Sequence, residues 1–238
     1  MNAGSPLQEM NALTVLGIET SGHTASAAVC DEGRIIAEES VFTRLTHSQV
    51  IMPMCRRVMD AAEVTFRDID CIAAAKGPGS YTGLRIGIAA VKGMCMAADI
   101  KCAGISTLMS LAYNFRGLDC VVCSVMYARG ELVYGAFFEI SGTDVKRLTD
   151  DRIISVSDIA AECAGYGKVY AVGDHAEALC EKYGSGSIIC APPQLRLQRA
   201  SSLCFAALDS GMISPDELNA DYLQITKAEK DLAEAGKK

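Results

Sequence analysis

Residues 69–98 read "IDCIAAAKGPGSYTGLRIGIAAVKGMCMAA". "IDCIAAA" is short and continuously apolar, the mark of a strand covered on both faces. From about Thr82 to Ala98, apolar residues recur at helical spacing: Leu84, Ile88, Val91, Cys95 and Ala98. A buried strand, a glycine loop and a helix form the repeating unit of an α/β fold. In the loop, Gly77 and Gly79 tolerate positive φ, Pro78 fixes its own, and Ser80 or Thr82 can cap the helix. A helix N-terminus offers N–H donors and partial positive charge, so Gly77, Gly79, Ser80 and Thr82 form a candidate phosphate loop. No Gly-Lys-Ser/Thr closes it, and the G-x-G-x-x-G spacing is not met. A tight capped turn and a nucleotide contact stand level as readings.

Upstream, "ALTVLGIE", "TASAAVC" and "RIIAEESVF" are joined by the turns "TSGH" and "DEG", which predicts a three-stranded meander. Thr46 and Gln49 fit a capping box, and Ile51, Cys55, Val58 and Ala62 continue at helical spacing. Pro53 is expected to kink that helix or set its start. The first half therefore reads βββαβα. The second half repeats the order with "LDCVVCSVMY", "ELVYGAFFEI", "VKRLTDDRII", "SDIAAECAGY", "KVYAVG" and "DHAEALCEKYG", then "SIIC" and a last helix. Two βββαβα halves resemble the superfamily of actin, heat-shock chaperone ATPases and sugar kinases (ASKHA). The expected organisation is a flexible leader (1–12), a first domain (13–105), a second (106–212) and a C-terminal tail (213–238). The hinge is expected at Gly104–Leu108, and the helix over 199–210 is expected to pack back between the halves.

The helix after the loop is apolar on more than one side. Gly83, Gly87, Ala90, Met94 and Ala97 make a stripe of mostly small residues, and Arg85, Lys92 and Asp99 a single polar line. Such a helix is covered twice, by its own sheet and by a second helix or polypeptide. The helix from Thr46 also carries spare apolar residues: Val50, Ile51, Met52, Met54 and Met59. Ile51, Met54, Cys55, Val58, Gly83, Gly87, Ala90 and Met94 are therefore a candidate partner interface, with a shared internal core as the competing reading.

Composition excludes several classes. No apolar run approaches the roughly 20 residues that span a bilayer, and "MNAGSPLQEMNA" has no export-signal pattern. The eleven cysteines fall in strand-like or helix-like apolar runs, as buried free thiols of a cytoplasmic protein do. In "CVVC", Cys120 and Cys123 point to opposite faces of a strand, and no second pair completes a zinc set. The net charge of −7 and the lack of a Lys/Arg run leave most contact with any RNA to another subunit.

Four stretches, "GIETSGHTASAAV", "HSQVIMPM", "AAAKGPGSYTGLRIGIAAVKGMCMA" and "GISTL", closely resemble the TsaB (YeaZ) family. The resemblance implies a non-catalytic subunit that binds and activates TsaD, the metal-containing enzyme that threonylcarbamoylates adenosine next to the tRNA anticodon. It implies a TsaE-like ATPase as a further partner, a homodimer in the partner's absence, and tRNA contact only through the complex. No cofactor is tightly bound, with ATP or ADP expected at the subunit boundary. Glu19, Thr20 and Ser21 occupy the first phosphate hairpin, so Thr20 and Ser21 join the loop residues as candidates. The TsaD pattern has two metal-binding histidines four apart on a helix. This chain has His47 and then Ile51, with His23 and His175 isolated, so no metal or catalytic residues are expected. In the second half, Tyr127 stands where the family has an aspartate, and Tyr222-Leu223-Gln224 replaces Tyr-Leu-Arg. The alternative is a metal- or ATP-dependent transferase or glycoprotease-like enzyme in its own right.

Overall fold

The computed structural model describes residues 13–42, 46–184 and 186–223, so the leader and the end of the tail lie outside the described residues. β1 (Val15–Glu19), β2 (Thr24–Asp31) and β3 (Arg34–Phe42) form the meander. β1 then pairs in parallel with β4 (Cys71–Gly77), and β4 with β5 (Lys101–Ser106), in the order β3-β2-β1-β4-β5. β1 is buried along its whole length, because helices cover both faces of the sheet.

One face carries α1 (His47–Ala61) and α2 (Tyr81–Ala98). Gln49 Oε1 accepts the Thr46 N–H at 3.4 Å, as the capping box requires. Pro53 lies inside α1, so of the two expected effects it does not set the start of the helix. The opposite face carries α3 (Thr107–Tyr113) and α7 (Ala200–Leu208). The helix expected between the halves, α7, lies flat on the first sheet and supplies Leu203, Cys204 and Ala207 to its core.

β5 and α3 were not expected, and their junction lies in the stretch where the hinge is expected, Gly104–Leu108. Gly104 interrupts an otherwise strand-like run, which hides β5 from a propensity reading. Ser106 Oγ caps α3 by accepting the Met109 N–H at 3.1 Å.

The second sheet runs β11-β10-β6-β7-β8. It comprises β6 (Leu118–Arg129), β7 (Leu132–Gly142), β8 (Asp144–Arg147), β9 (Arg152–Ser155), β10 (Val169–Val172) and β11 (Ile188–Cys190). The expected third strand splits into β8 and β9, both paired with β7. α4 (Val156–Cys163) and α5 (Ala176–Tyr183) cover one face, and α6 (Pro193–Arg196) leads back to the first half. The duplicated meander-and-crossover order is the ASKHA architecture. All eleven cysteines are free, and Cys120 and Cys123 serve different cores on opposite faces of β6.

Candidate functional site

The two sheets meet at a cleft of about 620 Å³. Its first-half wall is the β1–β2 turn, the N-terminal turn of α2 and His47 at the start of α1. Its second-half wall is the end of β6, Tyr134 and Asp174. Gln198 lies between Gly22 of one wall and Met126 of the other. It is 1% exposed, it donates to Met126 Sδ at 3.3 Å, and its amide nitrogen lies 2.7 Å from where a Gly22 Cβ would stand.

The structure brings Thr20, Ser21, Gly77, Gly79, Ser80 and Thr82 together around the start of α2. Ser80 is the N-cap, its Oγ accepting the Gly83 N–H at 3.2 Å. The Ser80 N–H itself donates to the Ser21 carbonyl at 2.7 Å. Gly77 has φ +119°, a conformation that side chains rarely adopt. Thr20 and Ser21 are buried and Thr82 is exposed. The Ser80 and Gly83 amides are thus committed within the chain.

Beneath the turn, Glu19 is fully buried, and its Oε1 accepts the Ser21 N–H at 2.6 Å. Burial raises its pKa to about 7, against the lowering effect of bonds from Ser21 and Thr20. At the rim, burial lowers the pKa of His47, partly offset by its bond to the Thr24 backbone. Asp174 is raised by burial and stabilised as a carboxylate by the Tyr127 N–H, 2.8 Å from its Oδ1.

The structure brings two histidines that lie far apart in sequence to the cleft. His23 and His47 line the cleft, and the His175 ring lies 5.9 Å from Tyr127 on the facing wall. Only the approach of separate elements joins them, so no local spacing could have revealed it. The TsaD-type metal pair does not fit here: the side chain one turn on from His47 is Ile51, 1% exposed in the core. Among the described residues, no three His, Cys, Asp or Glu side chains converge with metal-binding geometry.

The candidate partner face also needs correction. Ile51, Met54, Cys55, Val58 and Met94 are all at most 8% exposed and pack in the first domain's own core. Ala90 is half-buried against the same core. Gly83 and Gly87 are small because Thr20 of the β1–β2 turn lies against them, not because a second chain does. The exposed apolar residues of these helices include Met52 on α1, and Ala89, Gly93 and Met96 on α2, with Met96 69% exposed. Met52 also joins Met59, Val64 and Phe66 in lining a groove at the end of α1.

Residues 41–200 match the model of the family TsaD, tRNA N6-adenosine threonylcarbamoyltransferase. A tRNA threonylcarbamoyladenosine biosynthesis protein TsaB from Bacillus subtilis is 27% identical over 230 residues, spanning 94% of this chain and 100% of its own. A tRNA N6-adenosine threonylcarbamoyltransferase from Bacillus licheniformis is 26% identical over 262 residues, spanning 92% of this chain and 74% of its own. YeaZ from Pseudomonas aeruginosa shares the fold, with a TM-score of 0.76 and 24% identity over 89% of this chain and all of that one. The TsaD family model matches two thirds of its length, so the chain belongs to that family, and it is similar to a TsaB protein along nearly all of its length.

Proposed function

We propose that this chain is the non-catalytic subunit that binds and activates a TsaD-like enzyme in the threonylcarbamoylation of tRNA adenosine. The observation that carries the reading is the exposed apolar strip of Met52, Ala89, Gly93 and Met96 on two adjacent helices of the first half. Side chains without a Cβ or with a single methyl let a second helix approach closely, and the flanking methionines adapt to it. The homologous face of a TsaD-like subunit fits it, or a second copy of this chain when that subunit is absent. ATP or ADP at the subunit boundary and a TsaE-like ATPase complete the assembly. The chain's acidity supports tRNA contact through the partner rather than directly.

Reconstitution tests this. Purified TsaD-like subunit, tRNA and threonylcarbamoyl-adenylate are combined with and without the chain, and modified adenosine is read by mass spectrometry. Modification should require both proteins, with none from the chain alone. Modification by the chain alone would make it an enzyme, and modification unchanged without it would remove the activating role.

A further inference from the structure

After α7 the chain runs back along α2, over its one polar line. Ile213 pairs antiparallel with Cys102, its N–H donating at 2.8 Å and its carbonyl accepting at 3.0 Å, which extends the first sheet past β5. The Asp216 carbonyl accepts from Lys92 Nζ at 3.5 Å. Leu218 is fully buried, its Cδ1 2.8 Å from where a Gly104 Cβ would stand. This close packing accounts for a glycine in the middle of β5.

The segment ends on the glycine loop and grips it from both sides. On the strand side, the Asp221 N–H donates to the Lys76 carbonyl at 2.7 Å, and the Asp221 carboxylate pairs with Lys76 Nζ at 2.9 Å. The Asp221 carbonyl lies 2.6 Å from where a Gly77 Cβ would stand. On the helix side, the Tyr222 ring lies 4.9 Å from Tyr81, and its hydroxyl accepts from Arg85 Nε at 3.1 Å. The Arg85 guanidinium in turn sits 4.0 Å over the Tyr81 ring.

We propose that residues 213–222 are a clasp that sets the shape of the loop from Lys76 to Tyr81, with Asp221 and Tyr222 as its positioning residues. Coupling of this kind is reciprocal. Whatever orders the loop also orders the clasp, and whatever lifts the clasp loosens the loop. The inference does not depend on which ligand or partner the chain takes.

Hydrogen exchange tests it, with the Ser80 and Gly83 amides as reporters and the β10 amides as the control for global opening. In a chain ending at Gly211, the loop amides should exchange about tenfold faster relative to β10. Should that chain lose its fold, Asp221→Pro combined with Tyr222→Ala decides. The proline deletes the N–H bonded to Lys76, and the alanine deletes the ring on Tyr81. Tyr222→Phe, which keeps the ring, should hold the loop near its native rate. Loop rates within twofold of native in whichever clasp-deficient chain remains folded would overturn the proposal, as would a Tyr222→Phe loop as mobile as the released one.

Discussion

The Thr20 hydroxyl donates to the carbonyl of Gly83 at 2.8 Å, and joins the turn after β1 to the first turn of α2. The Thr20 carbonyl occupies the space that a Cβ on Gly83 would need. This one contact fixes the first wall of the cleft against the helix that follows the glycine loop.

Gly83→Ala should therefore destabilise the protein by about 2–4 kcal/mol, because the obstacle is backbone and cannot rotate away. Gly93 lies nearly three turns further along the same helix with nothing within 4 Å of its missing Cβ. Gly93→Ala should stabilise by about 0.5–1 kcal/mol through helix propensity. Urea midpoints of the two variants should move in opposite directions.

Glu19 makes stability depend on pH. Its folded pKa of about 7 is above the usual 4.5, so the folded state holds the proton more tightly. The resulting stabilisation is complete below the unfolded value and is lost as pH rises through the folded one. Above that, the buried carboxylate costs about 3 kcal/mol relative to low pH. Glu19→Gln never ionises and lacks this slope. Urea unfolding at pH 5 and pH 8 should show the variant gaining on the wild type by about 2–3 kcal/mol at the higher pH. An equal difference at both values would contradict the burial of this carboxyl.

Two methionines two residues apart on α1 should behave differently. Met54 is fully buried, and Met54→Ala should lose about 2–5 kcal/mol of stability. Met52 is 43% exposed, and Met52→Glu with Ala89→Glu should leave the thermal midpoint within a few degrees of native. In a pull-down with the TsaD-like subunit, that double variant should lose capture at least tenfold. Undiminished capture would move the interface elsewhere.

The cysteines give a chemical test of the fold. Eight are buried, and Cys120, Cys180 and Cys190 are half-buried. Burial pushes the Cys55 and Cys71 thiols up to about 12, so almost no thiolate forms there at neutral pH. Maleimide added to the folded protein should modify none of the eight buried thiols within minutes, and all eleven cysteines after denaturation. Rapid modification of Cys204, fully buried against β1 and β2, would contradict the placement of α7.

The sequence alone determined the α/β class, the two meanders, the strand–loop–helix unit at residues 71–98 and a cap at either Ser80 or Thr82, of which the structure uses Ser80. These are local matters: periodicity, turn chemistry and capping act over a few residues, so they can be read along the chain. It also carried the family resemblance, concentrated in the first half. Only the tertiary structure decided which apolar positions of α1 and α2 are core and which are surface. Both helices are apolar beyond one face, and periodicity cannot say which face the sheet takes. Packing likewise decided that Gly83 makes room for Thr20, that β5 exists despite Gly104, and that His23 and His47 line one cleft. It also decided that Asp221 and Tyr222 return, some 140 residues later in the chain, to hold the loop at Lys76 and Tyr81. Contacts between distant segments depend on how whole elements pack, and no spacing in the sequence encodes them.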